Sequence, residues 1–295
     1  MTPENLLHGP LTTQKCTFGC PIIDRCLGGG IPINSITELV AESGCGKTQL
    51  CLQLLLSAQL PVSHGGLAAS SLYIHSEFPF PFRRLQQLSH VRSSLFASNS
   101  KDNPCDNIFV LGVHSADQLF DLLSKTDSLF TNPPTGMPVK LIVIDSIAAL
   151  FRSEFDNTPC DLKKRSSLFF KISGKLKSLA KRFGLAVVVT NQVVDLVGSD
   201  GGNGLRVGNL GSMCSSGRRV SPALGISWSN CVNSRLFLSR NEEIVGEETG
   251  LVDKSGGDFI ARQTRRQIQV VFAPHLPKSS CEFMITRDGV FGVDR

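Results

Sequence analysis

Apolar positions along this chain gather into short runs of strand length that alternate with stretches showing three- and four-residue spacing. Residues 35–40, 71–75, 108–113, 140–144 and 186–190 read as strands, and those at 140–144 and 186–190 are apolar almost throughout. Between them, residues 49–60, 83–94, 116–124 (behind Ser115 as a cap) and 162–182 read as helices. In the last of these, Phe169, Ile172, Leu176, Leu179 and Phe183 form one apolar stripe. Strand alternating with helix predicts an α/β fold: a mostly parallel sheet with helices on both faces. The final third changes character. Residues 224–228, 235–238, 267–272 and 282–286 read as short strands with few helices, a C-terminal β-hairpin region. Residues 1–15 form a short polar lead and 16–295 a single domain, with the Gly-rich, charged residues 240–266 as a mobile insertion in the last hairpins.

Composition narrows the setting more than the chemistry. The 295 residues are 41% hydrophobic, enough for one large core. A net charge of +5 permits nucleic-acid binding without requiring it. Ten cysteines lack any Cys-x-x-Cys pair, and no apolar leader opens the chain, so buried thiols in a reducing compartment are expected. Cys16, Cys20 and Cys26 do not have zinc spacing. No run approaches the ~18 apolar residues of a membrane helix, and a soluble, intracellular protein with no membrane partner is expected.

The chemistry begins where the first strand run ends. Ala41-Glu42-Ser43-Gly44-Cys45-Gly46-Lys47-Thr48 lies between a strand and a helix, the setting of a phosphate-binding loop. There, backbone N–H groups and a helix N-terminus face an anion, Lys47 reaches the β and γ phosphates, and Thr48 ligates Mg²⁺. Ala41 stands where the motif has glycine, a mild defect if that position needs positive φ. Asp145 ends an apolar strand, the pattern of a carboxylate that holds the Mg²⁺ shell, and a simple helix cap has the same pattern. Glu77 follows another strand; it can activate an attacking water, and an ordinary surface glutamate has the same pattern. Gln192, after the strand at 186–190, can bond a γ-phosphate or simply belong to a turn.

Together these residues resemble the ATPase core of the RecA recombinase family, and the resemblance runs from Leu27-Gly28-Gly29-Gly30-Ile31 to Met284-Ile285-Thr286-Arg287-Asp288-Gly289. Within it, the loop, the segment from Tyr73 to Leu85 and Phe151-Arg152-Ser153-Glu154-Phe155 look most like a eukaryotic recombinase paralogue. The resemblance implies a RecA-like P-loop ATPase core that binds ATP and Mg²⁺. It implies Lys47 and Glu77 as catalytic residues, Thr48 and Asp145 as metal ligands, Gln192 as γ-phosphate sensor, and Arg84 packed on adenine. It also implies a nuclear role in homologous recombination, double-strand break repair and meiosis, with another paralogue and the main recombinase as partners. Turnover is expected to be weak and partner-dependent; the rival expectations are an ATP-gated adaptor that need not hydrolyse, and a ring-shaped motor. Filament-forming relatives carry an N-terminal helical domain and a Phe-x-x-Ala docking peptide, which residues 1–15 do not display.

Two segments are candidates for single-stranded DNA. Lys163, Lys164, Arg165, Lys171, Lys175, Lys177, Lys181 and Arg182 share one predicted helix, a face that is either solvated or a contact for phosphate or an acidic partner. Residues 193–220 are Gly-rich and carry Arg206, Arg218 and Arg219 but no aromatics, so phosphate contact rather than stacking is the means available. A plain linker is the competing reading. In the family this is the second DNA-binding loop, and residues 152–161 would be the first.

Overall fold

The computed structural model describes residues 13–93, 103–152, 155, 158–196, 213–244 and 262–294. A two-stranded ribbon opens the fold, β1 (Lys15–Cys16) against β2 (Ile31–Pro32), so Lys15 already belongs to ordered structure. The central sheet follows: β3 (Ser35–Ala41), β4 (Ser70–His75), β5 (Ile108–Gly112), β6 (Val139–Asp145) and β7 (Ala186–Asn191). A small antiparallel sheet comes next, β8 (Val193–Asp195), β9 (Met213–Ser215) and β10 (Arg218–Pro222), ordered β8-β10-β9. Then β11 (Ser234–Ile244), β12 (Arg262–Phe272), β13 (Ser280–Thr286) and β14 (Gly289–Val293) complete a nine-stranded order, β14-β13-β12-β11-β3-β7-β6-β4-β5. From β11 to β5 all neighbours are parallel; from β11 to β14 they are antiparallel. The expected α/β class and its C-terminal hairpin region are both present.

Strand periodicity builds two cores from one sheet. Leu39, Tyr73, Leu141, Val143 and Val188 face a core closed by the helices Lys47–Ser57 and Phe82–Val91. Ile36, Leu72, Ile74, Ile142, Ile144 and Val189 face the opposite core, under the helices Ala116–Lys125 and Pro159–Phe183. Both faces being covered explains why the central strands read as continuous apolar runs.

Local signals set the helix ends. The Ser115 hydroxyl accepts from the Gln118 N–H at 3.1 Å, as expected. The long helix starts earlier than its apolar stripe, because Thr158 accepts from the Asp161 N–H at 3.1 Å and Pro159 occupies the first turn. Gly184, at φ 65°, ends it. Residues 224–228 correct the sequence reading: Gly225–Ser229 is a short helix, not a strand. It turns Trp228 into the core, where the indole N–H donates to Glu38 Oε1 at 3.0 Å and the ring lies 5.4 Å from Phe169. Burial of one large aromatic outweighs β propensity here. The hairpin strands β11 and β12 also run further than expected, taking in residues 240–244 and 262–266. The centre of the expected insertion lies outside the described residues.

The cysteines divide. Cys16, Cys20, Cys45, Cys51, Cys105 and Cys231 are buried, Cys26 and Cys281 half-buried, and Cys160 and Cys214 exposed, a correction to the expectation that all are buried; none is in a disulfide. Among the described residues no helix is long and apolar enough to cross a membrane.

Candidate nucleotide site

Parallel strands end together, and their carboxyl ends are where a doubly wound sheet opens a crevice. Register places His75 beside Asp145, and Val40 beside Asn191. The loops leaving β3, β4, β6 and β7 therefore meet around one cavity of about 860 Å³. Its lining includes Gly44, Lys47, Thr48, Glu77, Asp145 and Gln192.

The loop after β3 has the form its glycines allow. Gly44 (φ 80°) and Gly46 (φ 109°) adopt left-handed backbone, and a Cβ on Gly46 would lie 2.6 Å from Ile285 Cδ1. Ala41 is the last residue of β3, buried, and is not among the positive-φ residues. Alanine at that position therefore costs nothing, and the defect expected from the motif does not arise. Cys45 is also buried, behind the loop rather than in the cavity wall. Ser43 and Glu42 line the cavity.

Lys47 rests on its own loop: Nζ donates to the carbonyls of Ala41 (2.8 Å) and Glu42 (3.1 Å). Burial lowers its pKa, and the charge of Asp145 opposes that shift. Both contacts are exchangeable for phosphate oxygens, which are stronger acceptors.

Asp145 is held by three hydroxyls. Thr48 Oγ1 and Tyr73 Oη donate to Oδ2 at 2.6 and 2.7 Å, and Thr190 Oγ1 donates to Oδ1 at 2.6 Å. The expected metal pair, Thr48 and Asp145, is thus in direct contact. Tyr73 and Thr190 escaped the sequence reading. Tyr73 is the one tyrosine in the chain and is 2% exposed. Its position two residues before the end of a strand adjacent to β6 is the signal that could have found it. Burial and the Asp145 charge push its phenol far above the ordinary value, so it stays a donor.

Glu77 and Gln192 meet across the mouth: Gln192 Nε2 donates to both carboxylate oxygens, at 2.8 and 3.0 Å. Phe78 beside them is 77% exposed. Arg84 is not in the cavity wall. Its Nε donates to Gln49, and its other nitrogens donate to Gln87 and to the carbonyls of Thr286 and Arg287, at 2.6–2.8 Å. The guanidinium is pinned next to Gln49, which does line the cavity.

Oxygen donors suit a hard cation, so Thr48 and Asp145 fit Mg²⁺ shared with a phosphate. Among the described residues no group of three or more His, Cys, Asp or Glu is placed to hold a metal ion.

The DNA candidates separate. Arg218 lies in the cavity wall, with Nη2 2.8 Å from Glu42 Oε2 and Nη1 2.9 Å from Asp195 Oδ2. Arg219 is exposed, and Arg206 lies outside the described residues. The ends of the 193–220 segment, expected to be too flexible to pack, form β8, β9 and β10 instead, because Met213 and Val220 bury against Val40 and Phe237. Arg152 lines the cavity at the start of the other expected loop. On the long helix, Lys163, Lys164, Lys171, Lys181 and Arg182 are exposed, and Asp127 pairs with Lys175 (3.3 Å) and Arg182 (2.6 Å). Arg165 turns inward, over the Phe169 ring.

A family profile described as Rad51 matches residues 12–207. The chain is 60% identical to the DNA repair protein XRCC3 homolog of Arabidopsis thaliana, over 99% of this chain and 97% of that one. It is 35% identical to DNA repair protein XRCC3 of Mus musculus, over 96% and 77% of the two chains. It is also 33% identical to DNA repair protein RAD51 homolog 2 of the same species, over 77% and 65%. A phosphate-loop cavity at the carboxyl ends of a parallel sheet agrees with that kinship, and the chain belongs to the Rad51 family.

Proposed function

We propose that this protein is an ATP- and Mg²⁺-binding recombinase paralogue acting in homologous recombination, DNA double-strand break repair and meiotic recombination, in the nucleus. The observation that carries the reading is the convergence of Lys47, Thr48, Asp145, Glu77 and Gln192 on one cavity. Kinship with proteins named for DNA repair supports the process, and the match to a RAD51 homologue supports assembly with other members of the family.

In this reading the loop from Ala41 to Thr48 wraps the triphosphate, and Lys47 leaves its carbonyls for the β and γ phosphates. Mg²⁺ at Thr48 and Asp145 would offset charge developing on the phosphates. Glu77 accepts a proton from water aimed in line at the γ-phosphorus. Gln192 must release Glu77 for that, so γ-phosphate capture by Gln192 and base activation are one exchange of hydrogen bonds. Arg84 presents the face of a pinned guanidinium to the adenine. The open mouth, with exposed Phe78, favours a partner protomer that completes the site, which makes turnover by the isolated chain slow. Arg219 and Arg206 are the arginines proposed for single-stranded DNA.

The test is ATP turnover and single-strand binding by the purified chain, alone and with a recombinase paralogue. Lys47→Ala is expected to abolish nucleotide binding. Glu77→Gln is expected to remove turnover, at least a hundredfold, while ATP still binds. Retained affinity in the first variant would discredit the phosphate-loop assignment. Repair unaffected by the second would favour the adaptor, a reading that the closed Glu77–Gln192 pair also suits.

A further inference from the structure

Glu42 is an unexpected residue for a loop that binds phosphate. Its carbonyl receives Lys47, and its side chain lines the same cavity as Lys47 and Thr48. A bare carboxylate there would repel the triphosphate. The carboxylate is not bare. At 7% exposure, Oε1 accepts from Ser215 Oγ (2.7 Å), from Ser216 Oγ and from Arg240 Nε (3.2 Å), and Oε2 accepts from Arg218 Nη2 (2.8 Å).

The fold delivers these donors from elements remote in sequence. Strands β9 and β10 are joined by Ser216 (φ 51°) and Gly217 (φ 73°), the left-handed pair of a tight hairpin turn. The turn is anchored to β11 by the Ser216 N–H donating to the Arg240 carbonyl at 2.7 Å. Arg240 then lies against the loop so closely that a Cβ on Gly44 would sit 2.8 Å from its Nη1. Arg218 continues to Asp195, so two guanidiniums serve two carboxylates and the group closes neutral.

We propose that Arg218 and Arg240 neutralise Glu42 within the phosphate-binding loop, which makes Arg218 a positioning residue for the triphosphate rather than a contact for DNA. This rests on the nucleotide-binding reading above. Loss of Arg218 leaves the Glu42 charge facing the phosphates, and loss of the Glu42 charge relieves the need for Arg218. The two substitutions therefore suppress one another, which a purely structural role for Arg218 would not produce.

The experiment measures binding of a fluorescent ATP analogue with Mg²⁺ to the full chain and to R218A, E42Q, E42Q/R218A and K47A, alongside the salt dependence of oligo-dT binding. R218A is expected to weaken nucleotide binding about tenfold, with E42Q tighter than the parent and the double variant back near it, while the salt slope for DNA is unchanged in R218A. Unchanged nucleotide affinity in R218A, a double variant as weak as R218A, or E42Q weaker than the parent overturns the proposal. So does a flattened DNA salt slope in R218A with nucleotide affinity intact. If the parent binds nucleotide, K47A does not and R218A matches the parent, this inference alone fails. If the parent binds none, the nucleotide reading fails and takes this one with it.

Discussion

Tyr73 decides how firmly Asp145 is held. Its hydroxyl shares Oδ2 with Thr48, so Tyr73→Phe removes one of three donors and frees the carboxylate to turn. The expected result is a loss of about 1 kcal/mol in stability and Mg²⁺-ATP affinity about tenfold weaker at fixed metal. Affinity measured in chelator should be unchanged; an equal loss with and without metal would mean that the ring only packs. Glu42 adds a pH dependence. Burial works against its ionised form, but the bonds from Ser216, Ser215 and Arg218 prevail and its pKa lies below the ordinary value. A carboxyl whose folded pKa is depressed stabilises above its unfolded pKa and loses that contribution as pH falls through the folded one. Folding stability from this group is thus expected to be fully present at neutral pH and to fall only in acid, and the urea midpoint of the parent compared with that of E42Q between pH 7 and pH 4 checks it.

At the scale of elements, β3 carries the phosphate loop and its position depends on β11. Glu38 of β3 and Arg235 of β11 form an ion pair with both side chains at 1% exposure or less, completed by Asn191 and Trp228. Removing one partner leaves a buried charge. Arg235→Ala is expected to cost about 3–5 kcal/mol, read as a shift in the urea midpoint, and a paired apolar replacement of both residues should recover most of it. The cap of the long helix is worth less. Thr158→Ala should cost about 1 kcal/mol by the same measurement and leave nucleotide binding unchanged, because Thr158 does not line the cavity.

For the whole molecule, ligand binding and stability are linked. A ligand present at a hundred times its Kd adds about 2.7 kcal/mol to the native state, so saturating ATP with Mg²⁺ should raise the melting temperature by several degrees. Chelator should remove most of that rise, and K47A should show none of it. A K47A variant that melts higher with ATP would place the stabilising site elsewhere. The surface charge is less available than its sum suggests, since Asp127 takes up Lys175 and Arg182. DNA affinity is therefore expected to depend more on R219A than on R182A, measured as the salt slope of oligo-dT binding.

What the sequence determined by itself was whatever depends on neighbours in the chain. The strands at the centre of the sheet were legible because burial on both faces leaves an unbroken apolar run, the loop because glycine and lysine spacing is a local requirement, and the Ser115 cap because it acts three residues away. Asp145 and Thr48 could each be found, but not their contact across 97 positions. The rest needed tertiary structure because its determinants are distant in sequence: the helix that carries Trp228 to Glu38, the hydroxyl of Tyr73, and the placing of Arg218 on Glu42, 176 residues away. A basic residue in a Gly-rich stretch looks the same whether it faces solvent or a carboxylate. Only the packing of β9 and β10 on the phosphate-loop strand decides which, because it fixes what acceptor lies within reach of the guanidinium.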